Sequence, residues 1–336
     1  MRQPPCCPSP AAERHDRGVT LIELIVVITI SGIIAAVLGS IIVRPIQGYQ
    51  ASVRRTALVD AAEMALRRSG RDIRQALPNS VRIRDNGVGV NSVSCVTAGQ
   101  VCTIEILNTL DGARYRDGPG NIGHNHGPTQ FRLSFNGADT DGFNIVGQFE
   151  NFQPTLPFTS TTERLAIYNQ GAVPAAACNG SGADAYWDAG CTNVNDRVVI
   201  TNPAVVAFTI SGDGGGDELR LSPVAITASG SFNFRWASPN QRVFIVDTPV
   251  SYVCTAGMNG NITRYSNYPI TAAQQVTPAG ATNIALLSRP VSACRFNYSP
   301  GTNQRAGLVT LDITITDAAS GEQVRLLHQA HVDNAP

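Results

Sequence analysis

Residues 24–43 read LIVVITISGIIAAVLGSIIV, twenty consecutive residues without a charge. At 1.5 Å per residue a helix of that length covers roughly 30 Å, about the hydrocarbon core of one bilayer. Core helices of globular proteins seldom run this long without a charge, so the stretch reads as a membrane-spanning helix. Val and Ile dominate it, interrupted by Gly32, Ala35, Ala36, Gly39 and Ser40. Small residues let helices approach closely inside lipid, so the segment is expected to pack against other helices.

A cleaved secretory signal would have a shorter apolar run, then a small-residue cleavage site and a soluble start. Here the run passes through Arg44-Pro45 into a charged, helix-forming stretch, and the polar feature comes first, at Arg17-Gly18-Val19-Thr20-Leu21-Ile22-Glu23. A carboxylate costs about 2.5–3.5 kcal/mol at mid-bilayer and less near the interface. Glu23 therefore calls for a cationic partner. Arginines flank the run on both sides, so the positive-inside rule does not orient it.

The stretch Gly18-Val19-Thr20-Leu21-Ile22-Glu23-Leu24-Ile25-Val26-Val27 resembles the N-terminal cleavage and methylation motif of type IV prepilins and pseudopilins. The resemblance implies a prepilin peptidase that cuts between Gly18 and Val19, leaving Val19 as an N-methylated amino terminus. It also implies that Glu23 pairs with the terminal amine of a neighbouring subunit. Two charges that meet in lipid relieve each other's desolvation. Val19 stands where Phe is commonest in the family. A leader of eighteen residues, with Pro4-Pro5 and Cys6-Cys7, is longer than usual.

Beyond the span, residues 49–77 carry an amphipathic helical pattern. Leu66, Ile73 and Leu77 share a face with Leu58, Ala62, Ala65 and Ser69, and Pro78 is the expected stop. Arg54, Arg55, Arg67, Arg68, Arg71 and Arg74 are read as a solvated face paired with acids. From about Val81 short β-branched runs alternate with Gly-, Pro-, Asn- and Asp-rich turns, most cleanly over residues 308–316. The expectation is class α+β, a pilin-like chain. Its parts are a leader (1–18), a transmembrane assembly helix (19–43), an amphipathic periplasmic helix (44–78) and a β-rich antiparallel periplasmic domain (79–336).

Blocks along the body narrow the resemblance. Residues 44–49 (RPIQGY), 71–82 (RDIRQALPNSVR), 217–222 (DELRLS), 264–266 (RYS) and 328–334 (HQAHVDN) are similar to the MshO branch of minor pseudopilins, found in MSHA-type pili. The resemblance implies a subunit that assembles into such a pilus, or initiates it, from the bacterial inner membrane.

All 25 basic residues are Arg. The absence of Lys removes P-loop NTPases, Schiff-base enzymes and Ser-x-x-Lys hydrolases. Gly-x-Ser-x-Gly and His-Glu-x-x-His are absent too, so no catalytic residue is assigned and the chain is not read as an enzyme. Net charge is zero, but residues 44–84 hold nine Arg against three acids, whereas residues 85–336 hold thirteen Arg against nineteen acids. A body without a basic excess does not bind nucleic acid through counterion release.

Removal of the leader leaves six cysteines, in local pairs: Cys95 with Cys102, Cys178 with Cys191, Cys254 with Cys294. Zinc spacing is missing. Disulfides in an oxidising periplasm are the expectation, with fifteen connectivities open. His124 and His126 are read as loop residues rather than ligands, and His328 and His331 as occupants of opposite strand faces. The acidic turns 139–142 and 213–218 lack EF-hand spacing and are read as hairpin turns, so neither metal nor cofactor is assigned. The expected partners are a prepilin peptidase, sibling subunits meeting the N-terminal helix, and the inner membrane. Alternatives are a J-type minor pseudopilin of a type II secretion system, and a membrane-anchored adhesin presenting Tyr186, Trp187 and Trp236 in a pocket. Burial in the core is the expected fate of those aromatics. An anchored hydrolase is a weaker alternative.

Overall fold

The structure, a computed structural model, describes residues 18–85, 88–117, 132–135, 142–171, 178, 182–193, 195–212, 218–225, 232–301 and 305–333. The chain divides into two compact units, residues 1–56 and 57–336. One long helix, Leu21–Arg74, starts in the first and ends in the second, with Pro45 inside it. A β-rich body follows, antiparallel except for the short parallel pair Arg197–Val198 and Asn233–Phe234. The class is α+β.

Burial along the last turns of the helix follows its period: Ala62, Ala65, Leu66, Ser69 and Ile73 face the core, while Arg67, Arg68, Arg71 and Arg74 are exposed. Arg67 pairs with Glu63 and Arg68 with Asp72, both four residues apart along the helix. The helix ends three residues before the apolar pattern does. Leu77 N–H donates to Leu107 O at 2.8 Å and Ala76 bridges to Asn108, so residues 75–77 leave the helix to line a strand. Pro78 favours this by disfavouring a helical Leu77.

The body is organised by two long strands, Val101–Tyr115 and Arg242–Thr255, which pair antiparallel along most of their length. Outward from Arg242–Thr255 lie Asn261–Ser266 and then Asn283–Ser288 at the edge. Outward from Val101–Tyr115 lie Phe143–Val146, Leu219–Ala225, Val206–Gly212 and Phe158–Thr159. The register of the long pair shifts between Ile245 and Pro249, where Pro249 lacks a ladder donor. On one side of the shift, Ile104, Ile106, Val250 and Tyr252 join a core with the helix face. On the other, Tyr115, Val243 and Ile245 join a second core with Phe143, Phe149, Phe208 and Phe234.

A second sheet, in the order Gln323–Val332, Gly307–Thr316, Val291–Ser299, Ser92–Cys95, closes the first core with Phe296, Leu311, Ile313 and Val332. The sequence located residues 308–316 and 323–332 but not Val291–Ser299, Asn261–Ser266 or Asn283–Ser288. The sequence also predicts an extended run over residues 131–135; its described residues, 132–135, form no strand. The histidine expectation holds: His331 points out and His328 inward.

Polar contacts fix the helix on the sheet. Asp72, 4% exposed, accepts from Tyr252 Oη at 2.6 Å and from Arg264 Nε at 2.7 Å. Burial and the adjacent carboxylate push the Tyr252 hydroxyl pKa upward, keeping it a donor. On the opposite face of the long strands, Glu105 meets Arg82 at 2.8 Å. There burial raises the Glu105 pKa and Arg82 opposes the rise. The segment 268–276 straps over this polar face. Arg82 donates to Thr271 O and Ala272 O, and Thr103 Oγ1 donates to Val276 O.

Asp72→Ala removes the carboxylate from under two donors and should cost about 3–5 kcal/mol, the range for a broken buried ion pair. Tyr252→Phe should cost about 1.5–3 kcal/mol, as for one hydrogen bond to a charged group. Urea-dependent pulse proteolysis of the detergent-solubilised chain reads both; equal costs would mean Arg264 contributes nothing.

Candidate functional site at the N-terminal helix

Gly18, Val19 and Thr20 precede the helix and Leu21 opens it. Thr20 is its N-cap. Its Oγ1 accepts the Glu23 N–H at 3.3 Å, and its carbonyl accepts the Leu24 N–H at 3.1 Å. The hydroxyl in turn approaches Glu23 Oε2 at 3.5 Å. The signal for this was present in the sequence as Thr-x-x-Glu, the pattern of a capping box, although only its likeness to the cleavage motif was used. The cap holds the Glu23 carboxylate in the first turn, where free amides and the helix dipole favour negative charge. Gly18 and Val19, the expected cleavage residues, lie immediately before that cap and are exposed.

From Gly18 to Gln50 every residue whose side chain is described is exposed, including Leu24, Ile28, Val37 and Ile41. This is the one helix among the described residues long and apolar enough to cross a membrane. Thr29 hides its hydroxyl by donating to Ile25 O and Val26 O, both at 2.9 Å. Beside Gly32 and Gly39 there is open space, room for a neighbouring helix to approach. An apolar surface this large and continuous is solvated by lipid or covered by other helices.

Residues 14–39 match the prokaryotic N-terminal methylation motif. The chain has a prepilin-type N-terminus. That motif supports a relation to the type IV pilin and pseudopilin superfamily and implies processing by a prepilin peptidase and contacts with pilin-family subunits. No curated protein and no solved structure matches the chain.

The six body cysteines form Cys95–Cys102, Cys178–Cys191 and Cys254–Cys294. Register explains how two of these cooperate. Cys102 lies opposite Cys254 in the first sheet, and Cys95 lies opposite Cys294 in the second. Both bonds therefore cross from one sheet to the other, side by side, with all four residues buried. Asp196 approaches the third disulfide, but its sulfurs are bonded to each other and offer no thiolate to a metal. Cys6, Cys7, His124, His126, the 139–141 acids and residues 213–217 lie outside the described residues.

The aromatic candidates separate. Tyr186 is buried and donates to Ser80 O at 2.9 Å, whereas Trp187 is half-buried. Trp236 is 45% exposed, against the expectation of a core position. Arg235 takes the inward place instead, donating to Arg197 O and approaching Asp188 at 3.4 Å. A cavity of about 300 Å³ is lined by Arg82, Arg84, Asp184, Tyr186, Trp187 and Gln274. The Arg82 guanidinium lies 3.5 Å from the Tyr186 ring centroid and spends its terminal donors on Glu105 and the strap carbonyls. Its geometry is that of a bolt within the fold rather than an anchor for a ligand.

His328 is set against the helix where Gly70 lacks a side chain; a Cβ there would lie 2.3 Å from His328 Nε2. That nitrogen is buried without a hydrogen-bond partner among the described residues. Burial, then Arg74 and Arg67, push the imidazole pKa below its usual value. The unfolded chain therefore takes up this proton first, so stability should fall as pH drops through about 6.5. Subtracting the pH–stability curve of His328→Gln from that of the native chain isolates the effect between pH 7 and 5. A flat difference would refute it.

Proposed function

We propose that this chain is a non-catalytic minor pseudopilin. It is stored in the inner membrane with its β-rich body in the periplasm, then drawn into or used to initiate a type IV pilus of the MSHA type. The observation that carries the reading is the capped, exposed apolar helix that begins at the methylation motif. Three disulfides support an oxidising compartment for the body. The blocks at residues 44–49, 71–82, 217–222 and 328–334 support the MSHA branch rather than the J-type secretion pseudopilin.

Mechanistically, cleavage after Gly18 creates an amine at Val19, four residues from Glu23. The amine of an incoming subunit and the Glu23 carboxylate of its neighbour neutralise each other in an apolar bundle, where either alone is costly. Pairing fixes the axial register between adjacent helices. The Thr20 cap keeps the carboxylate at a defined place in the first turn, and the glycines allow close packing.

Replacing Gly18 with a bulkier residue should leave the leader attached, seen as an intact N-terminal peptide by mass spectrometry. Glu23→Ala should reduce incorporation into sheared pili at least about tenfold, the loss of roughly 1.4 kcal/mol or more of pairing, while the body keeps its protease resistance. Normal piliation in the Glu23 variant would overturn the register mechanism.

A further inference from the structure

Sheet edges differ in how they are protected. The edge strand Gln323–Val332 carries Arg325, His328 and His331. Phe158–Thr159 is two residues long and follows Pro157, and Ser92–Cys95 is four residues long. Charge, proline and brevity are the usual devices against edge-to-edge pairing. Asn283–Ser288 has none of them. It reads NIALLS, with no charge and no proline, and among the described residues no strand pairs with its outer edge. Leu287 packs against the first core, but Ile284 and Leu286 are 58% and 52% exposed. Both stand on one face, opposite Tyr265 and Thr263 of the inner neighbour.

We propose that this edge pairs with the same edge of a second copy of the chain, antiparallel and centred on Ala285. Register argues for this occupant. Pairing Ala285 with Ala285 sets Ile284 against Leu286 of the other copy and Leu286 against its Ile284. All four apolar side chains then share one face, as cross-strand partners do. A shift of one residue would put them on opposite faces. The strand has no charge to repel its own image. Two half-exposed side chains and one ladder fall well short of the roughly 800 Å² per partner of a stable free interface. The contact thus suits copies already held at high local concentration, which a shared membrane supplies. In that respect the inference rests on the anchored reading above.

The test uses the full chain with Cys6→Ser and Cys7→Ser, in membranes, carrying two distinguishable epitope tags. Ala285→Cys should give a mixed-tag disulfide dimer under mild oxidation about tenfold or more faster than Ser320→Cys, an exposed reference turn, because pairing raises the local concentration. Adding Ile284→Arg and Leu286→Arg should return the rate to that of the reference. Equal rates, a dimer that persists with the arginines, or exclusive cross-linking to a different protein would each overturn the pairing. Membrane fractionation of the same samples is a separate readout. A membrane-bound chain without cross-link refutes the pairing alone, whereas a chain recovered in the soluble fraction refutes the anchor and the pairing that depends on it.

Discussion

Two strands of fourteen and fifteen residues, paired antiparallel across an irregularity of two register shifts between Ile245 and Pro249, set the layout of the body. A strand alternates faces every residue, so without the irregularity the same pair would present one set of side chains along its whole length. The shift between Ile245 and Pro249 lets one ladder serve two cores. Near Ile104 and Tyr252 it meets the helix and the second sheet; near Tyr115 and Val243 it meets an aromatic cluster. The other polar fixtures sit on this ladder. Asp72 reaches Tyr252 from the helix side, Glu105 holds Arg82 on the opposite side, and Cys102 and Cys254 carry two disulfides from adjacent ladder positions.

That layout bears on how the N-terminal helix can do its work. Its last turns are fixed by buried apolar contacts and by one carboxylate with two strong donors, whereas the described side chains of residues 18–50 are exposed. Burial of Ala62, Leu66 and Ile73 makes the C-terminal end part of the body. Exposure of Leu24, Ile28 and Val37 leaves the N-terminal end available to lipid or to other helices. One continuous element thus carries two surfaces that need different surroundings. The uncharged run ends at Arg44-Pro45, and burial begins well beyond it, with Ala62.

Much of this was legible in the chain. The span followed from the absence of charge over residues 24–43, and the helix face from the spacing of Ala62, Leu66 and Ile73. The strand at 308–316 followed from its alternation, and disulfides from six body cysteines in local groups, with their connectivity left open. What stayed hidden has identifiable physical reasons. Asn261–Ser266 and Val291–Ser299 mix Asn, Arg and Ser with apolar residues, because they border polar straps or solvent as well as core, and so lack a clean period. Apolar, β-branched runs mark the long strands only over residues 101–107 and 242–246, because Asp247 and Pro249 look like a terminus when the bulge that accommodates them is unseen. Asp72 is one of three acids among the nine Arg of residues 44–84, with no local mark of burial. Its burial depends on Tyr252 and Arg264, nearly two hundred residues away, and no local pattern carries that information.

The missing lysine gains a more specific meaning from the structure. Every permanent side-chain cation here is a guanidinium, and several are committed to planar, multi-donor contacts: Arg82 to Glu105 and two carbonyls, Arg264 to Asp72 and Ser266, Arg325 to Asp312. A guanidinium suits such contacts because its donors are fixed in one plane, whereas an ammonium is a compact point charge. Glu23 is a single carboxylate in the first turn of an apolar helix, held there by the Thr20 cap. The one compact ammonium that processing would add is the amine at Val19. On the proposed mechanism, Glu23 would have as its counterpart that amine, created only when the leader is removed. An uncleaved chain would bring the same carboxylate without that amine, and so pay its desolvation uncompensated, which disfavours assembly of unprocessed subunits on electrostatic grounds alone.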